Sequence, residues 1–547
     1  MKKWYDEAII YQIYPKSFQD SNNDGIGDLQ GIKQRIPYLK RLGINTIWLN
    51  PVFVSPQVDN GYDVANYFAI DEKMGTMADM EDLISTLHQN GIRIIMDFVL
   101  NHTSDQHPWF KDAIANPKSI YRDYYLFAGE NGRRPNNWGS FFGGSVWEPD
   151  PKTGQFYFHL FDKHMPDLNW KNPGVRKAML DIAEFWLKKG IDGLRLDAFI
   201  HIAKADFRQN YPAPEGQTPV AEPFFANLPE VVHYLRPFCK QIKQDYPDCL
   251  LLGEAASANV NLAATYTDPE NNLLDAAITF RCFTEDDSQL DSAIPANYQV
   301  KPFDFEAFKL TQMVWQQTLA GISKPVLYWS NHDMSRLRTR IAKNDLQAKS
   351  LAMLLYLERG LPIIYYGEEL GLKNLAFQQL VDFKDQTVFD FAKKAEKQGY
   401  SEAEILTMVS RTHKMPARGV MPWKKTENYG FSKRKPWLTG KKQDEHFAEA
   451  EIADADSFFN FYRQLIALKK TPLFMEGSYY LHPTSNKSFI YQRDLGDESA
   501  LVVVNLTNKP LKVMTKYQKV ILSNGQYSLN DNELQLAPFA GLVLRRD

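Results

Sequence analysis

Three acidic residues lie at or just past the ends of short apolar runs. Asp197 closes Ile191-Asp-Gly-Leu-Arg-Leu-Asp197, Glu254 closes Cys249-Leu-Leu-Leu-Gly-Glu254, and Asp333 follows Pro325-Val-Leu-Tyr-Trp-Ser-Asn-His-Asp333. The runs read as strands and the acids as strand-end residues. Arg195 and Asp197 are two apart, so on a strand their side chains leave the same face. A guanidinium beside a carboxylate favours its ionised form, which suits Asp197 to be a nucleophile. Glu254, beside Leu250, Leu251 and Leu252, reads as a poorly solvated carboxyl suited to donating a proton. Asp333 follows His332, a ring able to bond hydroxyl groups. Any one of these acids reads equally well as the N-cap of a following helix; the three together do not. A pair of carboxylates, one protonating a leaving oxygen and one attacking or activating water, is the equipment for cleaving glycosidic bonds.

Such residues must be gathered by a scaffold, and the chain supplies one. Eight apolar, often β-branched runs occur in order: Ile9 to Pro15, Ile44 to Asn50, Ile92 to Leu100, Ile191 to Ala198, Cys249 to Ala255, Ala276 to Phe280, Pro325 to Asn331 and Leu361 to Gly367. Runs of this kind suit strands buried on both faces. Helical periodicity lies between many of them, as in Asp79 to Asn90 and in Arg176 to Lys189, which ends at Gly190, a good C-cap residue. The expected fold class is therefore α/β, a (β/α)8 TIM barrel whose carboxyl-terminal strand ends carry the chemistry. The spacing is uneven. A stretch rich in Trp, Gly, Pro and Asn separates the third and fourth runs and reads as an inserted subdomain over 103–172. A second insertion follows the eighth run, about 368–444. After a last helix, Ser457 to Lys470, short alternating runs from Ser488 onward read as a C-terminal antiparallel β-sandwich domain over 472–547. The barrel then comprises 1–102 and 173–471.

The bulk numbers fit this picture and exclude others. A chain of 547 residues is too long for one core. A formal net charge of −3 gives no reason to expect nucleic acid or an anionic membrane as a partner. Aromatic content of 13% serves core packing and equally a cleft that stacks on sugar rings. Three cysteines, Cys239, Cys249 and Cys282, make no disulfide framework and no metal-ligand spacing. They fit a reducing compartment. The start, Met1-Lys-Lys-Trp-Tyr-Asp-Glu, has no signal-peptide apolar core, and no run approaches the length of a membrane span. The expectation is a cytoplasmic protein, a monomer or simple homo-oligomer, that acts on a small oligosaccharide.

The segments Asp97-Phe-Val-Leu-Asn-His102, Gly193-Leu-Arg-Leu-Asp-Ala198, Gly253-Glu254 and Ser330-Asn-His-Asp333, in this order and on these strands, resemble the α-amylase superfamily (glycoside hydrolase family 13). The resemblance covers nearly the full length and is nearest to the oligo-1,6-glucosidase/α-glucosidase group. It implies that Asp197 is the nucleophile, Glu254 the general acid/base and Asp333 a third carboxylate that clamps sugar hydroxyls and favours the distorted ring. It implies that His102, Arg195 and His332 hold the non-reducing glucose. In Asn60-Gly-Tyr-Asp63, Tyr62 resembles an aromatic platform and Asp63 a hydroxyl-binding acid. Arg418, in Ala417-Arg-Gly-Val-Met-Pro-Trp423, resembles an arginine that pairs with that acid and walls off the pocket, which makes such enzymes exo-acting. Core packing is the alternative reading of Tyr62.

Asp20-Ser-Asn-Asn-Asp-Gly-Ile-Gly-Asp28 spaces oxygen donors as a calcium loop does: Asp20, Asn22, Asp24, the Ile26 carbonyl and Asp28, without the bidentate Glu of an EF-hand. Related glucosidases bind Ca2+ at the matching loop, which implies a structural Ca2+ here. The alternative is a turn stitched by Asx hydrogen bonds. Ala198, just after Asp197, resembles members that cleave α-1,4 bonds, where Val goes with α-1,6. Met165 and the Met334-Ser335-Arg336 run after Asp333 depart from the group's usual residues, which bears on linkage and acceptor choice. The resulting expectation is an exo-acting retaining α-glucosidase releasing glucose from maltose and short α-1,4 gluco-oligosaccharides. Alternatives are an oligo-1,6-glucosidase, a trehalose-6-phosphate hydrolase or a glucosyltransferase. A non-enzymatic transporter partner would lack the carboxylates that this chain retains.

Overall fold

A computed structural model describes residues 2–285, 290 and 294–546. Eight parallel strands form one sheet: β1 (Ile10–Ile13), β2 (Thr46–Leu49), β3 (Arg93–Val99), β4 (Gly193–Asp197), β5 (Leu250–Glu254), β6 (Ala276–Ile278), β7 (Val326–Leu327) and β8 (Leu361–Tyr365). Their order is β6-β5-β4-β3-β2-β1-β8-β7, so strands adjacent in sequence are adjacent in space and β8 returns to β1. This is the TIM barrel that the eight apolar runs predict. Each strand is shorter than its run because the ends of the runs turn into loops.

Alternation along β4 explains how a greasy barrel carries charge. Leu194 and Leu196 are fully buried toward the helices, while Arg195 and Asp197 face the interior near its mouth. Gly193 lets β4 lie close to β5, since a Cβ there would sit 2.8 Å from the Leu250 carbonyl oxygen. The helix Pro173–Lys188 follows the rules for a good start and a buried face. Asn172 caps it by accepting from Gly174 N, Pro173 opens it, and Val175, Met179, Ile182, Ala183, Trp186 and Leu187 are buried.

Between β3 and β4, short antiparallel strands at Phe127–Ala128, Phe156–Phe158 and Trp147–Pro149 form a small sheet over the barrel mouth. Lys204 ties this segment to the barrel. Its buried ammonium donates to Asn101 Oδ1 at 2.8 Å and to the His201 carbonyl, and it pairs with Asp167 Oδ2 at 2.6 Å. After β8, the helices Gln386–Lys397 and Glu402–Thr412 pack on each other around Val388, Phe391, Ile405 and Val409. They lead residues 413–418 back into the barrel mouth. The C-terminal part is antiparallel: a five-stranded sheet and a three-stranded sheet enclose Ile490, Leu501, Val503, Leu534, Leu536 and Leu542. Ser478–Leu481, Tyr527–Asn530, Glu533–Leu536 and Gly541–Arg545 join the strands that the sequence predicts. Among the described residues no helix is long and apolar enough to cross a membrane. The three cysteines are free.

Candidate active site

The interior ends of β3, β4 and β5 bring three carboxylates to one guanidinium. Arg195 Nη1 lies 2.8 Å from Asp97 Oδ1 and also bonds Asp197 Oδ1, while Nη2 lies 2.9 Å from Glu254 Oε2. Asp97 is fully buried and is further held by Trp48 Nε1 at 3.0 Å. One cation cannot neutralise three carboxylates in so dry a place. Burial pushes the Asp197 pKa well up, the carboxylates of Glu254 and Asp97 push it further, and Arg195 only opposes them. Asp97 is likewise raised by its burial, against the pull of Arg195. The favouring of the ionised form by Arg195 is thus set against burial and two neighbouring carboxylates.

The turn after β4 brings the backbone into the chemistry. Ala198 adopts a left-handed conformation (φ 50°, ψ 22°), and its N–H donates to Glu254 Oε2 at 3.3 Å. Strained backbone of this kind gathers at functional sites.

A cavity of about 260 Å³ opens beside these groups, lined in part by Tyr62, His102, Asp197, Glu254, Asp333 and Lys414. Tyr62 and His332 stack with ring centroids 5.5 Å apart and planes at 10°. Gln12 Nε2 donates to His332 Nδ1 at 2.8 Å, which leaves the ring proton on Nε2, 2.6 Å from Tyr62 Oη and 3.0 Å from Asp333 Oδ2. The Tyr62 hydroxyl donates to Asp97 Oδ2 at 3.0 Å. His332 is buried, which pushes its pKa far down and keeps it neutral. His102 is also held neutral by burial, its pKa pushed down to about 4, and its buried Nε2 has no partner among the described residues. An orphaned nitrogen in a sugar-sized cavity is ready for a hydroxyl group.

Asp333 receives two cations on one oxygen, Lys414 Nζ at 3.2 Å and Arg418 Nη2 at 3.4 Å. Burial disfavours its charge, but the His332 Nε2 facing it at 3.0 Å and the cations of Lys414 and Arg418 outweigh that and hold the carboxyl well below the usual range. Lys414 was not foreseen from the sequence, and no local pattern marks it.

The structure separates Asp63 from the site. Asn60 (φ 52°) and Gly61 (φ 108°) reverse the chain, so the fully buried Asp63 carboxylate turns back onto its own loop. It accepts from Ser55 Oγ at 2.8 Å, Val58 N at 2.8 Å and Asp59 N at 3.0 Å. Arg418 accordingly meets Asp333 and the His332 carbonyl, the latter at 2.9 Å, and not Asp63. The acid of this turn that lines the cavity is Asp59, and its charge acts on both Lys414 and Arg418. The Asn-Gly turn signalled the place; it did not signal which of its two acids faces inward.

Six residues, Phe141, Ile200, His201, Ala256, Phe280 and Asp333, line both this cavity and an outer chamber of about 840 Å³. Met165 and Ala198 line the inner cavity only.

The Asp20–Asp28 loop lies away from these groups. Asp20 Oδ1 accepts from Asn22 N and Asn23 N, and its Oδ2 from Gly25 N at 2.8 Å. Asp24 Oδ1 accepts from Ile26 N, and Asp28 accepts from Ser21 and caps the helix Leu29–Gln34 through Gly31 N. Among the described residues no three His, Cys, Asp or Glu side chains are gathered as a metal site. What is visible is a set of Asx turns in which side-chain oxygens accept from backbone N–H groups.

Known proteins resemble this chain throughout. The model of the α-amylase catalytic domain matches residues 12–477. The oligo-1,6-glucosidase of Parageobacillus thermoglucosidasius is 35% identical over 563 residues, with 99% of each chain covered. The trehalose-6-phosphate hydrolase of Bacillus subtilis (strain 168) is 37% identical over 560 residues, covering 99% of this chain and 98% of its own. A solved structure described as a family GH13_31 enzyme superposes with a TM-score of 0.93 at 64% identity, each chain fully covered. The chain thus belongs to the α-amylase family, glycoside hydrolase family 13, and is a glycoside hydrolase of its glucosidase branch.

Proposed function

We propose that the protein is an exo-acting, retaining α-glucosidase that releases glucose from the non-reducing end of maltose and short α-1,4 gluco-oligosaccharides. One observation carries this reading: a single guanidinium holds Asp197 and Glu254 together at a cavity with room for one hexose ring. Retention calls for two carboxylates about 5–5.5 Å apart, closer than the spacing that admits water in an inverting step, and a shared guanidinium supports the closer arrangement.

In the first step Asp197 attacks the anomeric carbon while the bond from that carbon to the glycosidic oxygen breaks. Glu254, as the general acid, gives a proton to the departing oxygen. In the second step Glu254 takes a proton from water, whose oxygen attacks the same carbon and releases Asp197. Asp333, His102 and His332 hold hydroxyl groups, and Tyr62 supports the ring. Arg418, Lys414 and Asp59 close the inner end, which supports action on chain ends. Turnover of a panel of maltose, maltotriose, isomaltose, sucrose, trehalose and trehalose 6-phosphate tests the reading. Maltose and maltotriose are expected as the best substrates, and a marked preference for trehalose 6-phosphate would overturn it.

Ala198 supports the α-1,4 preference, because its small side chain leaves room at the cavity wall. An α-1,6 preference is the second reading, favoured by the names of the relatives. Ala198→Val is expected to move the maltose-to-isomaltose ratio of kcat/KM toward isomaltose by about 10-fold, the scale of a methyl-sized pocket change. A β-branched residue at φ 50° also strains the turn, so a lower Tm accompanies the change. The ratio of rates separates the two effects, and an unchanged ratio contradicts the linkage argument.

We also propose a structural Ca2+ held by Asp20, Asn22, Asp24, the Ile26 carbonyl and Asp28. The all-oxygen donor set suits a hard cation. An ion bound only to the folded chain stabilises it by mass action. Chelation with EDTA is therefore expected to lower Tm by a few degrees, with Ca2+ restoring it; an unchanged Tm contradicts the site. The three free cysteines support a reducing, cytoplasmic location.

A further inference from the structure

We propose that Lys16 is a positioning residue for the closed end of the site: its ammonium clamps Gln57 and Asn60, on either side of Val58-Asp59, and so aims the Asp59 carboxylate at the bound glucose. This rests on the glucosidase reading above. Lys16 lies on the short helix Pro15–Phe18, just after β1. Its Nζ donates to Asn60 Oδ1 at 3.1 Å and to Gln57 Oε1 at 3.3 Å. Asp59 lines the inner cavity, whereas Lys16 stands behind it and does not.

The turn that carries Asp59 needs such a clamp. None of residues 55–60 is fully buried, so core packing does not fix their course. Gln57 (φ 68°) and Asn60 (φ 52°) are both left-handed, a conformation disfavoured for residues with a Cβ unless their surroundings hold it. Two polar anchors do so. The Asp63 carboxylate ties the backbone of the turn, accepting from Val58 N and Asp59 N. The Lys16 ammonium ties the side chains of the two left-handed residues that flank Asp59.

The same helix reaches the segment of Arg418. Ser17 Oγ donates to the Arg418 carbonyl at 2.6 Å, and Met421 N donates to the Ser17 carbonyl at 2.8 Å. Adjacent residues thus set Asp59 and Arg418, which close the inner end, in one frame. Lys16 is itself fixed. Its Nζ lies 4.2 Å from the centroid of the Trp437 ring, whose Nε1 donates to Ser17 Oγ at 3.0 Å. Burial pushes the Lys16 pKa down to about 8, and Arg418, Lys73 and Lys384 push it the same way, so the ammonium persists at neutral pH against its surroundings. Its hydrogen bonds go to amide oxygens, which direct the charge without neutralising it.

The test follows binding of deoxynojirimycin, a glucose-shaped amine, by titration calorimetry, which needs no turnover. The wild type, Lys16→Met, Asp59→Ala and the double variant are compared. Lys16→Met is expected to weaken binding about 10-fold in the wild-type background and less than about 2-fold in Asp59→Ala, because both changes act through one carboxylate. Lys16→Arg, whose fork can still serve two amides, is expected to keep the affinity within about 3-fold. Should Lys16→Met fail to fold, Asn60→Gly keeps the left-handed turn, removes one clamped oxygen and is expected to show the same dependence on Asp59. A purely structural role weakens binding by one factor with and without Asp59. That result, or unchanged binding in the clamp variants, overturns the assignment of Lys16 alone when the wild type hydrolyses maltose or p-nitrophenyl α-glucoside. A wild type inactive on every α-glucoside overturns the glucosidase reading, and this assignment with it.

Discussion

Replacing Asp197 with Asn is expected to lower kcat by on the order of 10⁴-fold or more while leaving the fold intact, since loss of a nucleophile removes the whole covalent route. The change is nearly isosteric. It also removes one negative charge from a cluster in which Arg195 faces Asp97, Asp197 and Glu254. Relief of that crowding predicts a Tm equal to or above that of the wild type, although an amide replaces a charged partner of Arg195. Thermal unfolding and steady-state kinetics on one preparation check both halves. Turnover comparable to wild type would refute the nucleophile assignment. Loss of activity with a collapsed Tm would mean that Asp197 is needed for folding, and the kinetic loss would then say nothing about chemistry.

Glu254→Gln is expected to act differently, because its partner reactions differ. On maltose, loss of general acid catalysis is expected to reduce kcat/KM by about 10²–10⁴-fold. A leaving group that needs little protonation, such as fluoride or a nitrophenolate, escapes most of that loss in the first step. The enzyme then stalls at the second, where no base activates water. Azide needs no base, so it is expected to restore turnover on these substrates. It attacks the β-linked glucosyl ester from the α face and gives α-glucosyl azide. In Asp197→Ala, azide replaces the nucleophile itself and gives the β anomer. Product anomers from the two variants therefore assign the two roles independently. The same anomer from both, or no rescue of either, contradicts the division of labour.

Much of this arrangement is legible in the sequence. The barrel strands are nearly continuous apolar runs, because both faces of each are buried, and such runs look the same in sequence and in space. Asp197, Glu254 and Asp333 were legible because strand ends fix where they point. Elsewhere the direction of a side chain was not written locally. Asp59 and Asp63 lie in one turn, and the positive φ of Asn60 and Gly61 decides that the first lines the cavity and the second caps the loop. Lys414 reaches Asp333 only because the helices Gln386–Lys397 and Glu402–Thr412 pack where they do. The raised pKa of Asp197 is also collective, since it follows from burial and from the charges gathered around Arg195. In the C-terminal part, Tyr527–Asn530 is short and largely exposed, so the alternation that marks a half-buried strand is weak there.

The central claim is a covalent glucosyl-enzyme on Asp197. The most direct test is peptide mapping by mass spectrometry after treatment with a fluorinated α-glucosyl fluoride, which forms that ester quickly and releases it slowly. The account predicts one stoichiometric adduct, on the peptide containing Asp197, appearing as activity is lost and disappearing as activity returns. An adduct on another carboxylate, or inactivation with no adduct on this peptide, would contradict it.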